Sequence, residues 1–177
     1  MRAMNLRPAQ ASDADAIARL HARSWREAYA GVLSAAYLAE RVMPEREALW
    51  HARLHSPRDG QHVLALEDAG SLVAFCCVYV DDAAHGASYL DNLHVAASHR
   101  GQGLGERLLR AAARVCARDG RTPGLQLFVN QANCEAQRFY LRLGARNVAS
   151  AVWHAPDGSA VPTFRFAWPT LAALVET

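Results

Sequence analysis

The chain has 177 residues, a hydrophobic share of 51%, a charged share of 20% and a formal net charge of +2. That length suits one domain with a good core, and the composition is that of a globular protein rather than a disordered or fibrous one. So small a charge, with no concentrated basic tract, argues against a nucleic-acid partner, and the longest apolar run, 72–80, is too short to cross a membrane.

In chain order, Asn5 to Pro8 reads as a short strand. Ser12, Asp13 and Asp15 give a capping signal, and Ile17, Leu20, His21, Ser24, Trp25 and Ala28 follow at helical spacing until Gly31 breaks the pattern. A short helix around 34–41 comes next, and Pro44 opens another towards His55. Strands at 62–67 and 72–80 are joined by a tight turn through Asp68, Ala69 and Gly70. The next strand, 88–95, runs into a glycine-rich turn that opens a helix. There Leu104, Leu108, Ala111, Ala112 and Val115 form the apolar stripe, and Arg107, Arg110, Arg114 and Arg118 form a solvated face. A strand at 125–129, a helix at 133–143 stopped by Gly144, and a hairpin of 147–154 with 161–168 complete the chain. No internal repeat or linker interrupts it, so one mixed α/β domain with a central sheet is expected over 1–177.

The glycine-rich turn carries most of the functional information. A strand that feeds glycines and then a helix converges unpaired N–H groups and a positive dipole end on one spot, which suits a pyrophosphate. A Walker loop is excluded because the chain has no lysine. The dinucleotide pattern G-x-G-x-x-G is excluded because Glu106 stands where its third glycine would fall after Gly101 and Gly103. The spacing that remains is R-x-x-G-x-G, at Arg100, Gly103 and Gly105.

R-x-x-G-x-G after an L-x-x-L-x-V strand (90–95) resembles the acetyl-CoA-binding motif of the GNAT superfamily of N-acetyltransferases. Further on, Asn133, Ala136, Tyr140 and Gly144 match that family's N-x-x-A-x-x-x-Y-x-x-x-G signature in the same order. The resemblance covers most of the chain. It implies a mostly antiparallel sheet whose two middle strands run parallel and splay apart, flanked by helices. It also implies acceptor-side helices at about 12–55, an acetyl-CoA-binding core at about 88–144 and a closing hairpin at about 147–168.

The implied activity is direct transfer of the acetyl group of acetyl-CoA to a primary amine, with no metal. Main-chain groups of Leu93, His94 and Val95 would hold the thioester arm, near a bulge that frees N–H groups. Arg100, Gly101, Gln102, Gly103, Leu104, Gly105 and Glu106 would hold the pyrophosphate. Asn133 and Ala136 would lie along the pantetheine arm, and Tyr140 would protonate the departing thiolate. Many relatives carry a glutamate on the strand before the bulge; Tyr89 stands there instead. Asp91, two residues on and so on the same face as Tyr89, is the candidate base, whereas His94 is expected on the opposite face. Trp25, Tyr29 and Tyr89 are the candidate acceptor contacts. Transfer of another acyl group from CoA, and a CoA-binding sensor without turnover, remain open readings. Dimers are common among such relatives.

His51 and His55 have the i, i+4 spacing of a zinc helix, but no glutamate follows His51 and no third ligand is evident, so no metal is expected. The cysteines at 76, 77, 116 and 134 make no C-x-x-C pair. With no secretory leader pattern they read as reduced thiols of a cytoplasmic protein.

Overall fold

The apolar run 72–80 lies where a strand is covered on both faces, which explains why it does not alternate. In the computed structural model, which describes residues 4–176, this run is the middle of β3 (Ser71–Asp82), the third strand of a seven-stranded sheet. β1 (Asn5–Pro8), β2 (Gln61–Asp68), β3 and β4 (Ala87–Val95) pair antiparallel in that order. β4 then meets β5 (Leu125–Asn130) in parallel, and β7 (Ala160–Trp168) lies between β5 and the edge strand β6 (Arg146–His154). The turn between β2 and β3 has positive φ at both Ala69 and Gly70, the geometry a two-residue hairpin loop requires.

One face of the sheet is covered by α3 (Leu104–Asp119), which buries Leu104, Leu108, Leu109, Ala112, Ala113 and Cys116. This stripe is rotated from the one expected. Leu109, Ala113 and Cys116 are in the core, whereas Ala111 and Val115 are only partly buried. Alanine and cysteine are small enough to let the helix axis approach the sheet, which an apolar count alone does not reveal. Arg110, on the expected solvated face, instead bonds the Ala173 and Leu174 carbonyls of a short C-terminal helix, α5 (Ala172–Val175).

The other face is covered by α1 (Ala14–Ala28) and α2 (Val42–His55), whose Ile17, Ala18 and Trp50 pack on Phe75, Cys77 and Tyr79. α1 is entered through a 3-10 turn (Ala11–Asp13), and its cap is Asp13 rather than Ser12. The Asp13 carboxylate accepts from the Gln10 N–H at 2.7 Å and pairs with Arg7, which holds it below the usual carboxylate range. The segment 34–41 is not a separate helix but runs into α2 through a π-helical turn (Tyr37–Arg41). Pro44 lacks the N–H that would bond the Glu40 carbonyl, so the regular ladder is broken at that point. α4 (Cys134–Arg142) closes the far side. Its last turn is fixed by the Trp168 indole, which donates to the Leu143 carbonyl at 2.9 Å.

Candidate active site

Two irregularities of β4 create the site. The first is a bulge: Cys77 pairs with Asn92 and Val78 with Leu90, so Asp91 is an extra residue in the strand. An extra residue reverses the alternation beyond it. Leu90, Leu93 and Val95 therefore join the core under α3, and Tyr89 packs on the α1–α2 side. His94 also lies on that side, its ring 4.6 Å from that of His21 on α1. The expectation that His94 faces away from Tyr89 is thus corrected, because it assumed unbroken alternation.

The second irregularity is that β4 and β5 pair only at Ser88↔Leu125 and Tyr89↔Gln126. Beyond Tyr89 they splay, leaving one edge of 90–95 without a ladder partner. A cleft of about 1570 Å³ opens there between β4, β5, α1, α4 and the β6–β7 hairpin. Every expected site residue lines it except Gln102, whose amide turns outward to the Ser98 carbonyl.

At one end lies the glycine turn. Gly103 precedes α3 with φ +76, a left-handed conformation that disfavours any side chain. Gly105 has a different reason for lacking a Cβ, which would sit 3.3 Å from Cζ of Phe139 on α4. A Cβ there would press on α4. Glu106 is engaged by Arg110 and Arg142, so its side chain ties α3 to α4, and its carboxyl is held below the usual range. The Arg100 guanidinium pairs with Glu27 of α1 across the cleft mouth.

Along α4, Asn133 is the N-cap rather than a helical position. Its Oδ1 accepts from the Ala136 N–H at 3.0 Å, leaving its Nδ2 donor for a ligand. Gln137 donates to the Asn130 and Gln131 carbonyls. The Tyr140 ring packs edge-on against Phe139 and Trp168, and burial raises its hydroxyl well above the ordinary tyrosine value.

The other end of the cleft is aromatic and charged. Trp25, Tyr29 and Trp153 form a triangle with ring centroids 5.0, 5.6 and 5.6 Å apart. Tyr89 stacks on His85 at 3.9 Å, and Asp91 pairs with Arg53 of α2 at 2.7 Å. Burial drives His94 down to about 4 and His21 well below the ordinary value, so both rings are neutral. The Trp50 indole donates to Nδ1 of His21 at 2.9 Å, which leaves the His21 proton on Nε2.

Sequence reading missed Arg46, Arg53, His85, Phe128 and Trp153, which line the same cleft. They come from α2, the β3–β4 turn, β5 and β6, outside both motifs. The available signal was modest: Arg46 and Arg53 lie seven apart, two turns along one helix face. His51 and His55 stack on each other, and His51 meets Asp15 at 2.7 Å.

Residues 15–145 match the model of the acetyltransferase (GNAT) family, and the chain belongs to that family. It is 32% identical over 102 residues to a candidate ribosomal protein bS18-alanine N-acetyltransferase of Bacillus subtilis (strain 168). That alignment spans 56% of this chain and 62% of the relative, less than two thirds of the relative's length. A GCN5-related N-acetyltransferase of Rhodopseudomonas palustris superposes with a TM-score of 0.73 at 20% identity, covering 94% of this chain and 96% of that one. The PaiA N-acetyltransferase of Thermoplasma acidophilum, solved with coenzyme A, gives a TM-score of 0.69 at 19% identity, covering 91% and 98%.

Proposed function

We propose that the protein is an acetyl-CoA-dependent N-acetyltransferase that moves the acetyl group directly to a primary amine. The observation that carries this reading is the splay of β4 from β5 after Tyr89, with the α3 N-terminus at one end of the gap and Tyr140 beside it. The fit to acetyl-CoA is physical. Gly103 presents the first α3 N–H groups without a Cβ in the way, and the free edge of 90–95 offers main-chain donors to an extended amide-bearing arm.

In this reading Leu93 and Val95 hold the arm and polarise the thioester carbonyl through main-chain N–H groups. The amine nitrogen attacks that carbonyl, so an N–C bond forms and the C–S bond breaks. Asp91 takes the proton that the amine loses, directly or through water, and Tyr140 supplies one to the leaving sulfur. A phenol whose value is raised keeps its proton at neutral pH, as a donor to sulfur must. Trp25, Tyr29 and Tyr89 bind the acceptor. The whole chain works as one unit, and its three buried, unbridged cysteines support a reducing, cytoplasmic setting.

The test is release of CoA thiol from acetyl-CoA in the presence of an amine panel, with the acetyl mass increment followed on the acceptor. Acetyl-CoA binding without thiol release for any amine would overturn the reading in favour of a CoA-binding module.

A further inference from the structure

Arg46 lies in the acceptor half of the cleft, and its charge is answered only by a long ion pair with Glu45. Its side chain is only 12% exposed, and its guanidinium carbon sits 4.2 Å over the Trp25 ring. Its Nε is buried with no hydrogen-bond partner among the described residues. The nearest carboxylate is Glu45, 3.9 Å away and beyond hydrogen-bond range, and that group is already taken by the Tyr37 hydroxyl and by Arg41.

The other charges nearby are spoken for. Asp91 is paired with Arg53, Glu27 with Arg100, and Asp82 with His85 and Arg58. His21 and His94 are neutral. Among the described residues, one cation at the acceptor end is therefore left without a hydrogen-bonded carboxylate. Buried charges in folded proteins are paired, because desolvation without a counter-charge costs several kcal/mol. A guanidinium also matches a carboxylate in a planar, two-bond geometry that an ammonium cannot supply.

We infer that the acceptor is an amino carboxylate, whose carboxylate docks on Arg46 while its amine turns towards Asp91. The Trp25, Tyr29 and Trp153 triangle beside Arg46 gives an apolar or aromatic side chain a wall to pack on. The same charge disfavours polyamines, which would bring further cations to a site holding two guanidinia. It gives no advantage to a peptide N-terminus, which has an amide where the carboxylate would be. This inference rests on the N-acetyltransferase reading and specifies its acceptor.

The experiment compares apolar and aromatic amino acids with their carboxamides, which have the same shape and amine but no negative charge. The carboxamide's amine loses its proton more readily, so chemistry alone favours the amide. The expected result is a kcat/KM about tenfold or more higher for the amino acid, as for a charge-assisted contact. Arg46→Met should bring that ratio towards one without changing acetyl-CoA affinity, and Arg46→Lys should restore part of it. Thiol release that is equal for acid and amide, or greater for the amide or for a peptide N-terminus, overturns the inference while leaving the acetyltransferase reading intact. No thiol release from any acceptor overturns that reading itself. Should Arg46→Met not fold, the wild-type ratio still decides.

Discussion

Asp91 of β4 and Arg53 of α2 are joined by an ion pair of 2.7 Å across the floor of the cleft. The pair exists because the bulge adds Asp91 to the strand and leaves it, with Asn92, opposite Cys77. Arg53 also donates to Oδ1 of Asn92 at 2.8 Å, so one guanidinium holds both residues of the bulge. This carboxylate is therefore positioned as well as charged. Asp91→Asn keeps the shape and removes the charge. Turnover should fall by about 10²-fold or more, the usual worth of a positioned proton acceptor, with acetyl-CoA affinity unchanged. An acidic limb of the pH–rate profile that is the same in both proteins would assign the proton to another group.

Tyr140→Phe removes one oxygen from a ring that stays packed against Phe139 and Trp168. Binding of acetyl-CoA should persist, and kcat should drop by roughly 10²-fold. Because burial raises the hydroxyl above its ordinary value, Tyr140 stays protonated through the neutral and mildly alkaline range. A basic limb below about pH 9 that disappeared in Tyr140→Phe would contradict that assignment.

Gly103 and Gly105 should fail differently. Gly103→Ala forces a Cβ into φ +76 with nothing close to strike, a backbone cost of about 1–2 kcal/mol. Gly105→Ala places a Cβ 3.3 Å from Phe139 Cζ with no backbone cost. Adding Phe139→Leu should therefore relieve Gly105→Ala and leave Gly103→Ala unimproved. Thermal midpoints and acetyl-CoA affinity of the four proteins test this, and equal relief of both would show that one mechanism governs both glycines.

Stability should decline under mild acid because of two histidines. His94 is driven down to about 4 from an ordinary 6.5, and His21 is lowered as well. A depressed histidine is neutral when folded and takes up a proton on unfolding. Its contribution is complete above the unfolded value and is lost as pH falls from 6.5 towards the folded value, with a slope of up to about 1.4 kcal/mol per pH unit for each proton. The carboxylates with lowered values lose their contribution mainly as pH falls through and below their ordinary 3.8 to 4.5, under the acid end of the comparison that follows. Urea midpoints should thus be lower at about pH 5 than at about pH 7.5, and the difference should shrink in His94→Phe. An undiminished difference in that variant would remove His94 from the account.

Much of this was legible in the residues. Both nucleotide-cradle alternatives were excluded by single positions, the missing lysine and Glu106, and the strand–turn–helix order around 88–119 holds. What misled was local. The face of His94 was wrong because no single residue announces a bulge. The packing of Phe139 on Gly105 was not legible either, because Phe139 approaches from an element thirty residues away.

The sequence alone determined which elements form and the order in which they follow, since hydrophobic period, turn residues and glycine positions are local properties read along the chain. The tertiary structure alone decided which charges are answered. Glu27 meets Arg100 and Arg53 meets Asp91 over separations of 73 and 38 residues, whereas Arg46, beside Glu45 in the chain, meets no carboxylate within hydrogen-bond range among the described residues. Electrostatic energy depends on distance through a folded, poorly polarisable interior, and spacing along the chain carries no record of that distance.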